Sequence, residues 1–202
     1  MTVTSMKETS SAQAGTNPFE VLIERLRDPS RKRPVIFRHD NWHSNRQMTL
    51  VVVTDANASN DDSHNFVHEL KELDIVRAIV PITNGGLACA VAELARSLRC
   101  GFAIELARAE TSAGRTASDV LRDLLYSDVP SRYLLAIPDH QVQKGTEFEA
   151  QLSGLSNVEV RAAGRLSRDA HALKISLSDE TGLLSQKTFS RERFEAKAFA
   201  SI

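Results

Sequence analysis

Two adjacent glycines between a predicted strand and a predicted helix are the residues whose types and spacing most directly suggest chemistry. The segment Thr83-Asn84-Gly85-Gly86 precedes an Ala- and Leu-rich helix predicted over 87–98. Glycines leave backbone amides uncovered, and a helix start adds unpaired N–H groups and the positive end of the helix dipole. Together these groups could hold a phosphate or another anion. In a purely structural interpretation, Asn84 is only the N-cap and the glycines permit close helix–strand packing.

An arginine at the start of a later strand is a second candidate for anion binding. Arg132 follows Ser131, and its guanidinium could bind a phosphate or the carboxylate of a partner through charge-assisted hydrogen bonds. A salt bridge with Asp128 is an equally good interpretation. The basic run Arg31-Lys32-Arg33 is predicted to be a solvated loop, with phosphate contact as the lesser alternative.

Two histidines have the spacing of residues that share a helix face. His64 and His68 lie four apart on a helix predicted over 62–73, so both rings would project from one side. With a nearby carboxylate they could bind zinc or another divalent ion. The His-Glu-x-x-His arrangement of metalloproteases is absent, and a polar helix face is the favoured interpretation. No metal is therefore predicted, and a site at His64 and His68 is a minor alternative.

The elements that must position these residues alternate between strand and helix. Asn17-Pro18 is a typical helix start, and Asp28 ends that helix. Apolar spacing predicts strands over 50–53, 75–82, 101–106, 133–137, 158–166 and 172–177, and further helices over 62–73 and 87–98, from a Ser118-Asp119 cap, and from Pro138 to about Leu152. The tail from Phe189 is predicted to be helical at most. This alternation predicts an α/β fold. A mixed sheet of about four to six strands with helices packed on it is expected from the resemblance described below.

The composition argues against several classes of protein. The 202 residues include 25 Lys and Arg and 26 Asp and Glu, for a net charge of −1, which argues against nucleic acid as a partner. No apolar run approaches the ~20 residues needed to cross a membrane, and the N-terminus lacks an apolar signal core. Cys89 and Cys100 are predicted to be buried core residues and fit a reducing compartment. We therefore expect a cytoplasmic protein with a disordered tail over 1–16.

Three ordered segments resemble a known group of proteins, the AIR synthase-related superfamily. It includes aminoimidazole ribonucleotide synthetase, phosphoribosylformylglycinamidine synthase, selenophosphate synthetase and the hydrogenase maturation factor HypE. Residues 85–95, GGLACAVAELA, are similar to the Gly-Gly-Leu-Ala helix of that superfamily. Residues 125–134, LYSDVPSRYL, are similar to a Leu-Phe-Ser-Glu-Ser-x-Ser-Arg-Phe-Leu segment of formylglycinamidine synthases, and 158–166, VEVRAAGRL, to the strand before their closing β-hairpin.

The resemblance covers only the C-terminal domain of that superfamily. It implies a helix-and-loop extension over 17–48, a domain over 49–190 like the C-terminal domain of aminoimidazole ribonucleotide synthetase, and a tail over 191–202. In the superfamily a preceding α/β domain supplies most ATP and magnesium ligands and dimerises through its sheet. The 48 residues before the first clear strand are too few for that domain. We therefore expect no intrinsic cofactor, ATP and Mg²⁺ only with a partner domain, and either a homo-oligomer or a partner subunit.

The glycine loop departs from the formylglycinamidine synthase pattern. That pattern is typically His-Asp-x-Ser-Asp-Gly-Gly, whereas this chain has Pro81 and Asn84 at the two acidic positions. Proline cannot bind magnesium through a side chain, and a neutral amide is a weaker ligand than a carboxylate. This loop therefore has the two glycines of the pattern but neither of its two acidic residues.

The leading hypothesis is a stand-alone relative of this domain, closest to phosphoribosylformylglycinamidine synthase. It would bind a phosphate or phosphoribosyl group at Thr83, Asn84, Gly85, Gly86 and Arg132, as one part of a split purine-type ATP-dependent enzyme. The alternative is a non-catalytic scaffold or interaction protein that kept the fold. A metal-dependent enzyme using His64 and His68 is a weaker third hypothesis. No catalytic residue is assigned, and whether the protein is an enzyme stays open.

Overall fold

An eight-stranded sheet organises the chain in the computed structural model, which describes residues 17–38, 47–55, 63–73, 75–83, 85–108, 114–127, 132–142 and 158–199. The strands are β1 (Phe37–Arg38), β2 (Gln47–Asp55), β3 (Ala78–Pro81), β4 (Gly101–Ala107), β5 (Arg132–Pro138), β6 (Val158–Ser167), β7 (Ala172–Asp179) and β8 (Gly182–Ser190). Their order across the sheet is β1-β3-β5-β2-β6-β4-β7-β8. All neighbours pair antiparallel except β4 and β7, which are parallel. The sheet is therefore mixed, as predicted.

The strand count is higher than the four to six predicted from the sequence. The two strands that the sequence analysis missed, β1 and β8, lie at the two edges of the sheet. β1 has only two residues, and β8 is mostly exposed and polar. Neither carries an apolar pattern, because an edge strand has less surface to bury. The tail that was predicted to be helical from Phe189 begins its helix only at Arg191, because Phe189 and Ser190 are the last residues of β8.

Helices pack on both faces of this sheet. They are α1 (Pro18–Arg27), α2 (Ser63–Glu72), α3 (Gly86–Leu98), α4 (Ala117–Tyr126), the one-turn α5 (Asp139–Val142) and α6 (Arg191–Phe199). Asn17 caps α1 as predicted, accepting a hydrogen bond from the Phe19 N–H at 3.1 Å. The cap of α4 is Thr116, whose hydroxyl accepts from the Asp119 N–H, and not the predicted Ser118-Asp119. The rest of the polar helix predicted to Leu152 lies outside the described residues.

The main core lies between one face of the sheet and helices α1, α3, α4 and α6. Phe19 of α1 packs with Phe102 of β4 and Phe194 of α6, with ring centroids 6.0–6.4 Å apart. The apolar residues of this helix, spaced by three and four in the sequence, are all buried: Phe19, Leu22, Ile23 and Leu26. The Tyr126 hydroxyl at the end of α4 donates to the Pro18 carbonyl at 2.6 Å. Burial raises the pKa of Tyr126, which keeps this hydroxyl protonated as a donor.

The second face of the sheet carries a smaller core. Leu70 of α2 and the following Ile75 and Val76 pack with Ile79 of β3 and Leu135 of β5. Among the described residues no helix is long and apolar enough to span a membrane.

Both cysteines are buried and free, as predicted. Burial raises the pKa of the Cys100 thiol to about 11. The thiol is therefore protonated near neutral pH, which fits a core residue and disfavours a nucleophile.

Candidate anion site

The chain turns sharply at the two glycines, between the end of strand β3 and the start of helix α3. Gly85 has φ +107° and Gly86 has φ +70°, backbone conformations that side chains other than glycine rarely adopt. The Gly86 N–H donates to the Thr83 carbonyl at 2.9 Å. Gly85 occupies the N-cap position of α3 and supplies no side-chain cap. The predicted turn is present, although one of its amides already has a backbone acceptor.

Packing accounts for both glycines. A Cβ on Gly86 would lie 2.4 Å from the Leu125 carbonyl oxygen and 2.6 Å from Tyr126 Cα, in the last turn of α4. A Cβ on Gly85 would lie 2.7 Å from Cys89 Sγ. The close approach that the sequence analysis considered between helix and strand is therefore made between two helices. A ligand is not needed to explain the glycines.

The amides of the first turn of α3 lack a side-chain cap within the part of the chain that the structure describes. Thr83, just before the turn, is exposed. Asn84, the predicted alternative N-cap, lies outside the described residues. The positive end of the helix dipole lies at Gly85 and Gly86, both of which are buried.

Arg132 lies beside this turn because β5 begins where β3 ends. Pro81 pairs with Tyr133, and the Ile82 N–H donates to the Arg132 carbonyl at 2.9 Å. The Arg132 guanidinium is half-buried and donates to the Ser127 hydroxyl at 3.4 Å. Burial, followed by the nearby positive charge of Arg161, lowers the pKa of Arg132. Ser131 and Asp128, the alternative salt-bridge partner, lie outside the described residues.

The end of α4 contacts both the glycine turn and Arg132. Gly86 contacts Leu125 and Tyr126, and Arg132 reaches the next residue, Ser127. The structure therefore brings together Gly85, Gly86 and Arg132 where β3 ends and β5 begins. Thr83 is exposed next to them. A helix start and a half-buried guanidinium are the kinds of group that bind anions, although Gly85 and Gly86 are themselves buried.

A buried ion pair behind the turn was missed by the sequence analysis. Arg31 Nη2 lies 2.5 Å from Glu93 Oε1, and the two side chains are 5% and 9% exposed. The prediction of a solvated basic run is wrong for Arg31, while Lys32 and Arg33 are exposed as expected. The aliphatic part of Arg31 lies 3.4 Å from where a Gly85 Cβ would be. Because Arg31 and Glu93 are 62 residues apart, no local pattern could have revealed their contact.

The described residues do not support a metal site at His64 and His68. His68 is on α2 with its side chain 76% exposed, 3.8 Å from Glu72. The side chain of His64 lies outside the described residues. Among those that are described, no group of three or more His, Cys, Asp or Glu side chains converges as a metal site would require.

No protein-family model and no curated protein matches this chain. Solved structures with a similar arrangement include phosphoribosylformylglycinamidine synthase II from Thermotoga maritima, at 11% identity and a TM-score of 0.46. T. maritima PurL complexed with AMPPCP aligns at 13% identity and a TM-score of 0.47. The E. coli hydrogenase maturation protein HypE aligns at 15% identity and a TM-score of 0.44.

The aligned part of the chain is a fragment of each of these structures. The alignments cover 71%, 69% and 73% of this chain, but only 25%, 24% and 50% of the synthase, PurL and HypE chains. The chain thus spans about a quarter of PurL and half of HypE. At these identities and TM-scores the similarities carry no conclusion about what this chain does.

Proposed function

We propose that this protein binds a phosphate or phosphoribosyl group at the edge formed by Thr83, Asn84, Gly85, Gly86 and Arg132. The backbone amides at the start of α3 would donate to phosphate oxygens, and the Arg132 guanidinium would supply the positive charge. Both kinds of donor favour anions over neutral ligands.

The observation that carries this proposal is the position of Arg132. Its backbone carbonyl accepts from the Ile82 N–H at 2.9 Å, four residues before the helix begins. Its guanidinium donates to the hydroxyl of Ser127 at 3.4 Å, and among the described residues it makes no salt bridge. A half-buried cation beside the positive end of a helix dipole is an electrostatic setting that favours an anion.

The resemblance of residues 85–95, 125–134 and 158–166 to formylglycinamidine synthases suggests a role for this site. We propose that the protein is one part of a split purine-type ATP-dependent enzyme. In that arrangement a partner subunit carries the ATP- and Mg²⁺-binding domain, because Pro81 and Asn84 replace the acidic residues of the family pattern. This chain would then contribute a phosphate-binding surface and no cofactor of its own.

A non-catalytic scaffold or interaction protein is the second candidate function. Packing against Cys89 and α4 accounts for both glycines, and the Gly86 N–H already donates to Thr83. In this alternative the turn preserves the fold, and Arg132 contacts a carboxylate on a partner protein. The two candidates differ in whether the isolated chain binds phosphate.

A phosphate titration followed by amide chemical shifts tests the proposal. We expect inorganic phosphate to move the amide resonances of residues 83–88, and Arg132→Gln to weaken this binding by about tenfold, as for a lost charged hydrogen bond. Arg193→Gln is the matched control, because Arg193 is exposed on α6. It should leave the phosphate affinity unchanged.

Unmoved resonances at 83–88 in the wild-type protein would exclude the phosphate site and favour the scaffold.

A pull-down from native cells tests the split-enzyme role separately. Recovery of an ATP-binding subunit is expected, and its absence would leave the phosphate site without that role.

A further inference from the structure

A cavity of about 200 Å³ lies where strands β2, β4 and β7 begin and β6 ends. Its lining includes the first residues of the three strands, Gln47, Gly101 and Ala172, and the last residue of β6, Ser167. Strand β2 runs from this cavity to the position that pairs with Arg132, seven residues further on. Seven residues of extended strand span about 23 Å. The cavity is therefore separate from the glycine turn and Arg132.

Small side chains account for the volume of this cavity. Several of its lining residues have a methyl group or no side chain at all: Gly101, Ala103, Ala170 and Ala172. The turn between β6 and β7 lies close to the start of β4, since a Cβ on Gly101 would be 2.7 Å from the Ala170 carbonyl oxygen. The Ala170 N–H closes this turn by donating to the Ser167 carbonyl at 3.4 Å. Strand ends and a tight turn thus form the walls, as in ligand sites that are formed before binding.

Arg165 is the basic residue of the cavity lining. Its side chain is exposed and forms no hydrogen bond or ion pair with the part of the chain that the structure describes. The hydroxyl of Thr49, which lies opposite Arg165, donates to Asp139 at 2.8 Å. Glu105 of β4 is paired with Lys174 of β7 at 3.5 Å. These two carboxylates have partners other than Arg165, so its charge is available to a ligand.

The chemistry of the lining favours a singly charged anion with an apolar part. The Ser167 hydroxyl and the Gln47 amide can donate hydrogen bonds beside Arg165, and none of the lining residues that the structure describes is acidic. A guanidinium matches the two oxygens of a carboxylate with two parallel N–H donors. One arginine balances one negative charge. The alanines of the lining suit the hydrocarbon part of a ligand.

We propose that this cavity binds a small carboxylate with an apolar body, such as an aromatic or branched short-chain acid. The Arg165 guanidinium holds the carboxylate, and the hydrocarbon part lies against Ala103, Ala170 and Ala172. A cavity of about 150 Å³ is large enough for benzene, so one of about 200 Å³ has room for a ring and a carboxylate. This site is independent of the proposed anion site, because the length of β2 separates the two.

Titration with benzoate and its neutral analogue benzamide tests the proposal. We expect benzoate to shift the amide resonances of Gly101, Ala103 and Ser167, and benzamide to bind about tenfold more weakly, as for a lost charged hydrogen bond. Arg165→Gln should remove this preference. Arg193→Gln is the matched control, because it changes the net charge equally at an exposed residue of α6 outside the cavity. It should keep the preference.

A variant that fills the cavity provides a second test. Ala103→Leu adds three carbon atoms to the lining and should weaken benzoate binding by about tenfold or more. Ala107→Leu is the matched control, because Ala107 is exposed on the same strand and does not line the cavity. It should leave the affinity for benzoate unchanged. Circular dichroism and thermal unfolding check that each variant is folded.

Several results would overturn the proposal. Benzoate that leaves the cavity amides unmoved would exclude the site. Equal affinities for benzoate and benzamide, or an unchanged preference in Arg165→Gln, would show that Arg165 does not recognise a carboxylate. Tighter binding of inorganic phosphate than of benzoate at the same amides would show that the cavity recognises charge alone. In each case the proposed function at the glycine turn would stand or fall by its own titration.

Discussion

At the residue scale, Gly86 sets the distance between two helices. Its missing side chain lets the first turn of α3 lie against the last turn of α4, where a Cβ would come within 2.4 Å of the Leu125 carbonyl oxygen. A backbone oxygen in a helix cannot move away as a side chain can, so added volume there forces the helices apart. The same displacement would change the position of Ser127, and with it that of Arg132.

Gly86→Ala should therefore destabilise the protein strongly. We expect a loss of about 3 kcal/mol or more in the free energy of unfolding, from the steric overlap together with the positive φ. Gly114→Ala is the matched control, because Gly114 also has a positive φ (+85°) but has no atom within 4 Å of a built Cβ. It should cost about 1 kcal/mol from backbone strain alone. Urea unfolding measures both, and equal losses would contradict the packing role.

At the element scale, the segment after α1 is attached to α3. The Arg31–Glu93 ion pair lies along α3 behind the glycine turn, and Arg38, at the end of the same segment, donates to the Ser97 carbonyl at 3.5 Å. This segment ends in β1, which pairs with β3 at the edge of the sheet. Helix α3 is therefore held by α4 on the side of Gly86 and by the 31–38 segment on the side of Gly85.

Removing one partner of this buried ion pair should be costly. We expect Arg31→Met to lower the free energy of unfolding by about 3–5 kcal/mol, because Glu93 would be left as an uncompensated buried charge. The double variant Arg31→Met/Glu93→Leu should be clearly more stable than Arg31→Met alone. A double-mutant cycle by urea unfolding measures the coupling, and additive losses in the two single variants would show that the charges do not interact.

At the scale of the whole molecule, the second sheet face exposes apolar side chains. Val160 of β6 is 41% exposed and lies opposite Val53, a residue of the smaller core. Leu183 of β8 is 61% exposed and lies opposite Ser178, next to the core residue Leu177. Both lie on the face opposite the main core. A second copy of the chain packed on this face would cover both side chains.

We expect the protein to self-associate through this face. Sedimentation velocity should give a species larger than the 22.3 kDa chain, and Val160→Asp/Leu183→Asp should shift it toward the monomer. Val35→Asp is the control, because Val35 is 83% exposed but lies outside the sheet. A wild-type protein that sediments as a monomer at micromolar concentration would contradict this expectation.

Local apolar patterns predicted most of the elements that surround the candidate site. The β-branched run within β2, the apolar stripe of α1 and the glycine turn before α3 are all recognisable in the sequence, because each depends on neighbours a few residues apart. The edge strand β8 and the Thr116 cap of α4 were not predicted. An edge strand buries too little to need an apolar pattern, and Thr116 competes with Ser118 and Asp119, which are equally good capping residues.

The sequence by itself determined the α/β class, the helix that starts at the two glycines and the burial of both cysteines. Each follows from residue type and short-range spacing. Only the tertiary structure decided that Gly86 serves helix–helix packing, that Arg31 is buried against Glu93, and that Arg132 lies beside the glycine turn. These contacts join residues up to 62 positions apart and depend on the order of the strands across the sheet, which local spacing does not encode.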